Sequence, residues 1–231
     1  FTKRKFNFLS IGSLTTQKGF DLSINSDFPF GSGLGGSSSV MIAICGCFNE
    51  LRKDRWSDHE LAEIAFQAER ISMNISGGWQ DQYATVFGGL NFIEFKNDNN
   101  LIYPLRLRDK SVFELEECLY LFEVTSGRNS GDIHDDQEST MRDPKIQELV
   151  RKNVSHCYLM RDYLLRGKLT EFGEGLNLAW SMKRQFSKKI SNELIDEMYN
   201  FALENGASGG KLLGAGGGGF FLFFVQHSKK N

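Results

Sequence analysis

Three sets of residues in this chain have types and spacings that could do chemistry. The stretch PFGSGLGGSSSV at 29–40 combines closely spaced glycines with three consecutive hydroxyls. Its Gly31, Gly33 and Gly36 fit the G-x-G-x-x-G dinucleotide fingerprint, Gly31, Gly36 and Ser37 nearly fit the G-x-x-x-x-G-K-[ST] phosphate loop, and the same residues could form a flexible turn. Ser37, Ser38 and Ser39 offer hard oxygen ligands of the kind Mg²⁺ takes. The carboxylates Glu69 and Asp81, 12 residues apart, are candidates for ligand and base chemistry, and Arg128 in TSGRNSGD could grip a phosphate through its planar fork.

The flanking elements decide among the glycine readings. Phe20, Leu22 and Ile24 alternate with Asp21, Ser23 and Asn25, which predicts a strand leading into the loop. Val40, Met41, Ile44, Cys47, Phe48 and Leu51 recur at helical spacing, with Ser37 and Ser38 as N-cap candidates. Strand, glycine loop and helix start form a phosphate-binding arrangement, because glycines let backbone N–H groups approach an anion at the positive helix end. A dinucleotide site needs a second strand after that helix. Instead Ser57 and Glu60 form a capping box that opens another helix, with Leu61, Ile64, Ala65, Ala68 and Ile71 on its apolar face. The lysine form of the phosphate loop fails because Ser37 stands where its lysine belongs.

Glu69 falls at the edge of that second helix's apolar face, where it could flank solvent or face a cleft. Gly77-Gly78 breaks the chain, and Trp79, Tyr83, Val86 and Phe87 predict a short helix closed by Gly88-Gly89, with Asp81 in its first turn. The helix dipole there would keep Asp81 ionised, fit to orient or deprotonate a hydroxyl nucleophile. Leu90 to Phe95 reads as a strand and NDNN at 97–100 as a turn. A polar connection over 106–117 suggests a domain boundary, dividing residues 1–108 from 109–231. Beyond it come the strand CLYLFEV at 118–124, the polar loop bearing Arg128, and helices near 143–166, 169–184 and 191–205. Leu149, Val154, Tyr158, Leu164, Leu176, Trp180, Leu194, Ile195, Met198 and Phe201 supply the core faces of those helices. The last cluster, KLLGAGGGGFFLFFV, runs from glycines into a buried strand, so Gly214 and Gly216 to Gly219 allow close backbone approach without opening a helix.

With 27 Lys plus Arg against 29 Asp plus Glu, the net charge of −2 is too balanced for a nucleic-acid binder. No apolar run reaches the length of a membrane span and the first ten residues lack a secretory pattern, so a cytoplasmic protein is expected. Cys45, Cys47, Cys118 and Cys157 show no C-x-x-C pairing and are expected to be buried free thiols.

PFGSGLGGSSS, then GGWQDQ with its upstream glutamate, then KLLGAGGGGFFLFF resemble the three clusters of the GHMP small-molecule kinases, over Phe20 to Val225. GGWQDQYATVFGGLNFIEF, RNSGDIHDDQ and KRQFSKKISN are most similar to the D-glycero-D-manno-heptose 7-phosphate kinases, which phosphorylate the anomeric hydroxyl of a heptose phosphate for nucleotide-activated heptose and surface polysaccharide. L-fucokinases and galactokinases are the nearest rivals, and a non-catalytic nucleotide- or sugar-binding regulator is the alternative of a different kind. The resemblance implies an α+β fold of two domains, the N-terminal one like ribosomal protein S5 domain 2 and the C-terminal one ferredoxin-like. It implies ATP and Mg²⁺ as cofactors and a small sugar phosphate as partner. It makes Gly31, Ser32, Gly33, Leu34, Gly35, Gly36, Ser37 and Ser38 the ATP phosphate loop, Ser37 and Glu69 the Mg²⁺ ligands, and Asp81 the residue that orients the sugar hydroxyl. Gly77, Gly78 and Arg128 are then placed at the substrate, and Gly214, Gly216, Gly217 and Gly218 match the third motif. Gly36 replaces that family's usual serine. The family's first motif has no counterpart, so the N-terminal domain is expected to be truncated, lacking roughly a hundred residues, most of a small domain.

Overall fold

The computed structural model describes residues 20–26, 32–73, 76–96, 99–124 and 130–229. Gly31 and Arg128 lie outside the described residues.

Helices α1 (Gly36–Glu50), α2 (Asp58–Gln67) and α3 (Gln80–Phe87) pack on one another, and a two-stranded antiparallel hairpin, β1 (Asn91–Lys96) with β2 (Asn99–Pro104), follows them. The apolar stripe of α1 closes on α2 through Met41, Ile42, Cys45, Ala65 and Ala68. The alanines are completely or nearly covered, so the two helices approach closely. The Ser57 and Glu60 capping box opens α2 as expected, each side chain bonding the other's backbone N–H. Past Gln67 the helix widens into a π-helical turn, Ala68–Ser72, which carries Glu69.

The remainder comprises α4 (Asp109–Cys118), β3 (Leu119–Val124), α5 (Ser130–Thr140), α6 (Pro144–Leu165), α7 (Leu169–Lys183), α8 (Glu193–Glu204), β4 (Ala207–Leu212) and β5 (Gly219–Val225). Its sheet has the order β3-β5-β4 with both pairings antiparallel. The central strand β5 is covered on both faces, which accounts for its unbroken apolar run. Phe221 and Phe223 join Trp180, Ile195 and Tyr199 in one cluster, while Phe224 joins Leu115, Leu164 and Leu176 in another.

Several expectations change. Residues 20–26 are described but form no strand, and among the described residues none pairs with them; Phe20, Leu22 and Ile24 are all exposed. The polar stretch 106–117 is mostly α4, an amphipathic helix whose covered face holds only Ser111, Leu115 and Cys118, so charge hid its period. The NDNN turn is shorter than expected, since Asn99 and Asn100 belong to β2. Cys118 ends α4 rather than opening the strand, and α5 occupies residues read as loop and tail of the arginine segment. Strand β4 was not expected, its SGG sequence lacking the β-branched signal. Of the helical core candidates, Leu164, Leu176, Trp180 and Ile195 are buried, but Val154, Tyr158, Leu194 and Phe201 are exposed. All four cysteines are free, yet only Cys45 and Cys118 are buried.

Candidate active site

The start of α1 is built differently from the sequence expectation. Gly35, in the left-handed region at φ 73°, precedes the helix, and no side chain caps it. Ser37 and Ser38 are unavailable for capping because both hydroxyls are committed elsewhere. Ser37 Oγ donates to Glu69 Oε1 at 2.6 Å and Ser38 Oγ to Glu69 Oε2 at 2.7 Å. The uncapped N–H groups of the first turn are thereby left for an anion.

Glu69 is 1% exposed, deeper than an edge position implies. The extra residue per turn of the π segment is the device that re-aims side chains at such points. Three donors hold the carboxylate: the two serines, and Gln82 Nε2 at 2.6 Å, which also reaches Ser38 Oγ at 3.0 Å. Arg70 NH1 lies 3.9 Å from Oε1, a longer-range support. Three donors on one carboxylate fix its orientation.

Asp81 sits directly over the loop. A Cβ placed on Gly35 would be 3.5 Å from the Asp81 Cβ and Cγ, so the glycine makes room for the carboxylate. Helix α3 is tied to α1 at this point, since Thr85 Oγ1 donates to the Asp81 carbonyl at 2.7 Å and lies 3.4 Å from Ser39 Oγ. The Asp81 pKa is raised, chiefly by burial and also by Glu69, with Arg70 and His134 opposing. Desolvation is the largest influence on this carboxyl and disfavours its charged form. His134, from α5, is lowered by burial and by Arg70.

Ser32, Gly33, Gly35, Gly36, Ser37, Ser38, Glu69, Gly78, Asp81 and Gly214 line one cleft of about 440 Å³. The third glycine cluster closes it from the C-terminal side. Gly214 (φ 63°) is pressed so close to the loop that a Cβ there would lie 2.8 Å from Gly33 Cα. Gly216 and Gly217 face away, packed on Ile190 and Ile133, so they brace the turn rather than line the cleft. Leu34 also lies off the lining. Gly77 backs onto the Arg70 guanidinium, which bonds the carbonyls of Ser76 and Gly78 at 3.3 Å each.

The cleft also holds Arg70, His134, Gln137, Asn153, Lys183 and Lys211, none of which the sequence singled out. Lys183 Nζ donates to the carbonyls of Leu212 at 2.9 Å and Gly214 at 2.5 Å, and Gln137 Nε2 to that of Ala215 at 3.0 Å, so both hold the third glycine turn. Some of these residues lie in segments that carry the resemblance, but a lone Lys, His or Gln has no periodic signal that marks it.

The donor set suits Mg²⁺. Octahedral oxygen ligands at about 2.1 Å are neighbours at about 3 Å, near the Ser37 to Glu69 separation. Among the described residues no group of three His, Cys, Asp or Glu could hold a metal alone. Two protein oxygens completed by phosphate and water are the usual Mg²⁺ complement.

Comparison with known proteins places the same segments together. Residues 2–89 match the model of the GHMP kinases N terminal domain and residues 160–231 that of the GHMP kinases C terminal. A D-glycero-alpha-D-manno-heptose 7-phosphate kinase from Campylobacter jejuni is 36% identical over 212 residues, 91% of this chain and 62% of that protein. The bifunctional fucokinase/GDP-fucose pyrophosphorylase of Arabidopsis thaliana is 25% identical over 89% of this chain and 20% of its own length. A crystal structure described as a D-glycero-D-manno-heptose 1-phosphate kinase from Bacteroides thetaiotaomicron superposes with a TM-score of 0.65 and 29% identity, over 88% of this chain and 56% of the other. The chain thus spans under two thirds of the length of these relatives. A glycine loop at a helix start, a serine and glutamate sharing a hydrogen bond, an aspartate above them and a second glycine turn closing the cleft agree with both matched halves: the chain belongs to the GHMP kinases.

Proposed function

We propose that this chain supplies the phosphoryl-transfer site of an ATP-dependent kinase for the anomeric hydroxyl of a heptose 7-phosphate. The supporting observation is that the Ser37–Glu69 pair, Asp81 and the glycine loop line one cleft. The 36% identity to a heptose 7-phosphate kinase favours that acceptor over fucose or galactose. We place the division between halves at residue 108, just before α4, whose Leu115 and Cys118 pack with the C-terminal core.

The N–H groups at the start of α1 and in the glycine loop hold the nucleotide's phosphates, and Gly214 keeps water from the C-terminal side of the loop. Ser37 and Glu69 are the residues that would hold Mg²⁺, which when bound offsets charge developing on the transferred group. Asp81 accepts a hydrogen bond from the acceptor hydroxyl, aims it in line, and takes its proton as the new bond forms. Burial raises its affinity for that proton, which suits the role. Gly78, at the cleft wall, and Arg128 are proposed to border the sugar.

ATP consumption by the full-length protein, screened against heptose 7-phosphate, fucose, galactose and mannose, tests this. Turnover is expected with heptose 7-phosphate. Nucleotide binding by calorimetry without turnover on any acceptor would make the protein a regulator built on the kinase scaffold and overturn the proposal.

A further inference from the structure

The cation missing from the glycine loop has a counterpart on the opposite wall of the cleft. Lys211 lies in β4, on the same strand face as Gly209, whose bare Cα lets α7 approach to where a Cβ would be 2.2 Å from the Gly173 carbonyl. That face points into the layer of α6 and α7, and at its open end Lys211 reaches the cleft beside Asn153 and Lys183. The residue is only partly covered, yet its ammonium end is deep enough that burial depresses its pKa. The titratable group that acts on it is the Cys157 thiol, itself raised by desolvation and therefore neutral near pH 7, so it supplies no counter-charge.

Among the described residues, no hydrogen bond or ion pair closes on Lys211 Nζ. The other cations of the cleft are engaged: Lys183 on two carbonyls, Arg70 on two carbonyls beside Glu69. An ammonium desolvated without a partner is unfavourable unless an anion completes it. The opening it faces also contains the phosphate cradle.

We propose that Lys211 binds a phosphate group of a ligand in this cleft, with Asn153 as a neutral hydrogen-bond donor at its side. The proposal rests on the kinase function above and narrows it. A dianionic phosphate fits a compact ammonium with several donors. It has two sources: the terminal phosphate of the nucleotide, or the phosphate that the acceptor already carries.

The test is steady-state kinetics of the full-length protein as Lys211→Met, which keeps the length and removes the charge, and as Lys211→Arg, which restores charge. A rise of about tenfold or more in KM for heptose 7-phosphate alone assigns the acceptor's phosphate, and the same rise for ATP alone assigns the nucleotide's. Partial recovery in the arginine variant separates charge from packing. Both KM values within about twofold of wild type, with Tm retained, would overturn the proposal. Were the methionine variant not to fold, Lys211→Gln takes its place. Should the wild type show no turnover, calorimetric titration with ATP and with heptose 7-phosphate decides separately: a tenfold loss of affinity for either in Lys211→Met supports the site, and unchanged affinity or no binding by the wild type refutes it.

Discussion

At the residue scale the site depends on two carboxylates in contrasting surroundings. Glu69 is buried but receives three hydrogen bonds, whereas Asp81 is partly buried, with Arg70 as the main cation that opposes the desolvation of its charge among the described residues. Asp81→Asn therefore separates chemistry from stability. Loss of the proton acceptor should lower kcat by about tenfold or more with nucleotide affinity little changed. Stability should move the other way. The Asp81 pKa is raised above its ordinary 3.8 on folding, so its stabilising contribution is complete below that value and is lost as pH rises through the folded-state pKa. At pH 7 the ionised carboxylate is a destabilising element, and Asp81→Asn should raise Tm there. The gain should shrink as pH falls toward 3.8. Scanning calorimetry from pH 7 downward checks this, and a variant less stable than wild type at pH 7 would show that Asp81 is structural.

At the element scale, glycines within regular structure divide into those that allow contact and those that do not. Gly46 lies in α1 with no atom within 4 Å of an added Cβ, while Gly209 in β4 would drive a Cβ to 2.2 Å from a backbone carbonyl of α7. Gly46→Ala should stabilise by about 0.5–1 kcal/mol through helix propensity. Gly209→Ala should destabilise by about 1–3 kcal/mol through overpacking. Denaturant midpoints of the two variants decide it, and equal effects would mean that α7 and β4 are not in contact as described. The same contrast explains what the sequence disclosed. Elements with a strong period or a cap, such as α2 with its Ser57 box and β5 with FFLFFV, were legible because their signal is local. Strand β4 was not, since its glycines serve a neighbour distant in sequence. The alternation of Phe20, Leu22 and Ile24 misled for the converse reason, as a period is local while a strand needs a ladder, and none reaches these residues among the described ones. Of the site, Glu69 and Asp81 stood out by residue type. The burial of Glu69 through a π turn and the arrival of Lys183 and Lys211 from the other half depend on tertiary structure alone.

At the scale of the whole molecule the two halves meet where glycine faces glycine. Gly214 holds φ 63°, and an added Cβ would lie 2.8 Å from Gly33 Cα and 2.9 Å from its carbonyl oxygen, backbone atoms that cannot rotate away. Gly216, at φ 118°, instead meets Ile190 Cα at 2.9 Å within the C-terminal core. Alanine at either site imposes backbone strain of about 1–3 kcal/mol, but the relief differs. At 214 the strain is relieved by moving the glycine turn off the phosphate loop, which costs nucleotide binding while each half keeps its own core. At 216 it can be relieved only by disturbing Ile190. Gly214→Ala should therefore raise KM for ATP by about five- to a hundredfold with a small change in Tm, the strain appearing at about tenfold per 1.4 kcal/mol. Gly216→Ala should lower Tm with a smaller effect on KM. Paired kinetics and thermal melts distinguish the two. If Gly214→Ala bound ATP like wild type, the close approach of the halves would not shape the nucleotide site; if it melted as Gly216→Ala does, the turn at 214 would belong to the C-terminal core instead of the boundary between the halves.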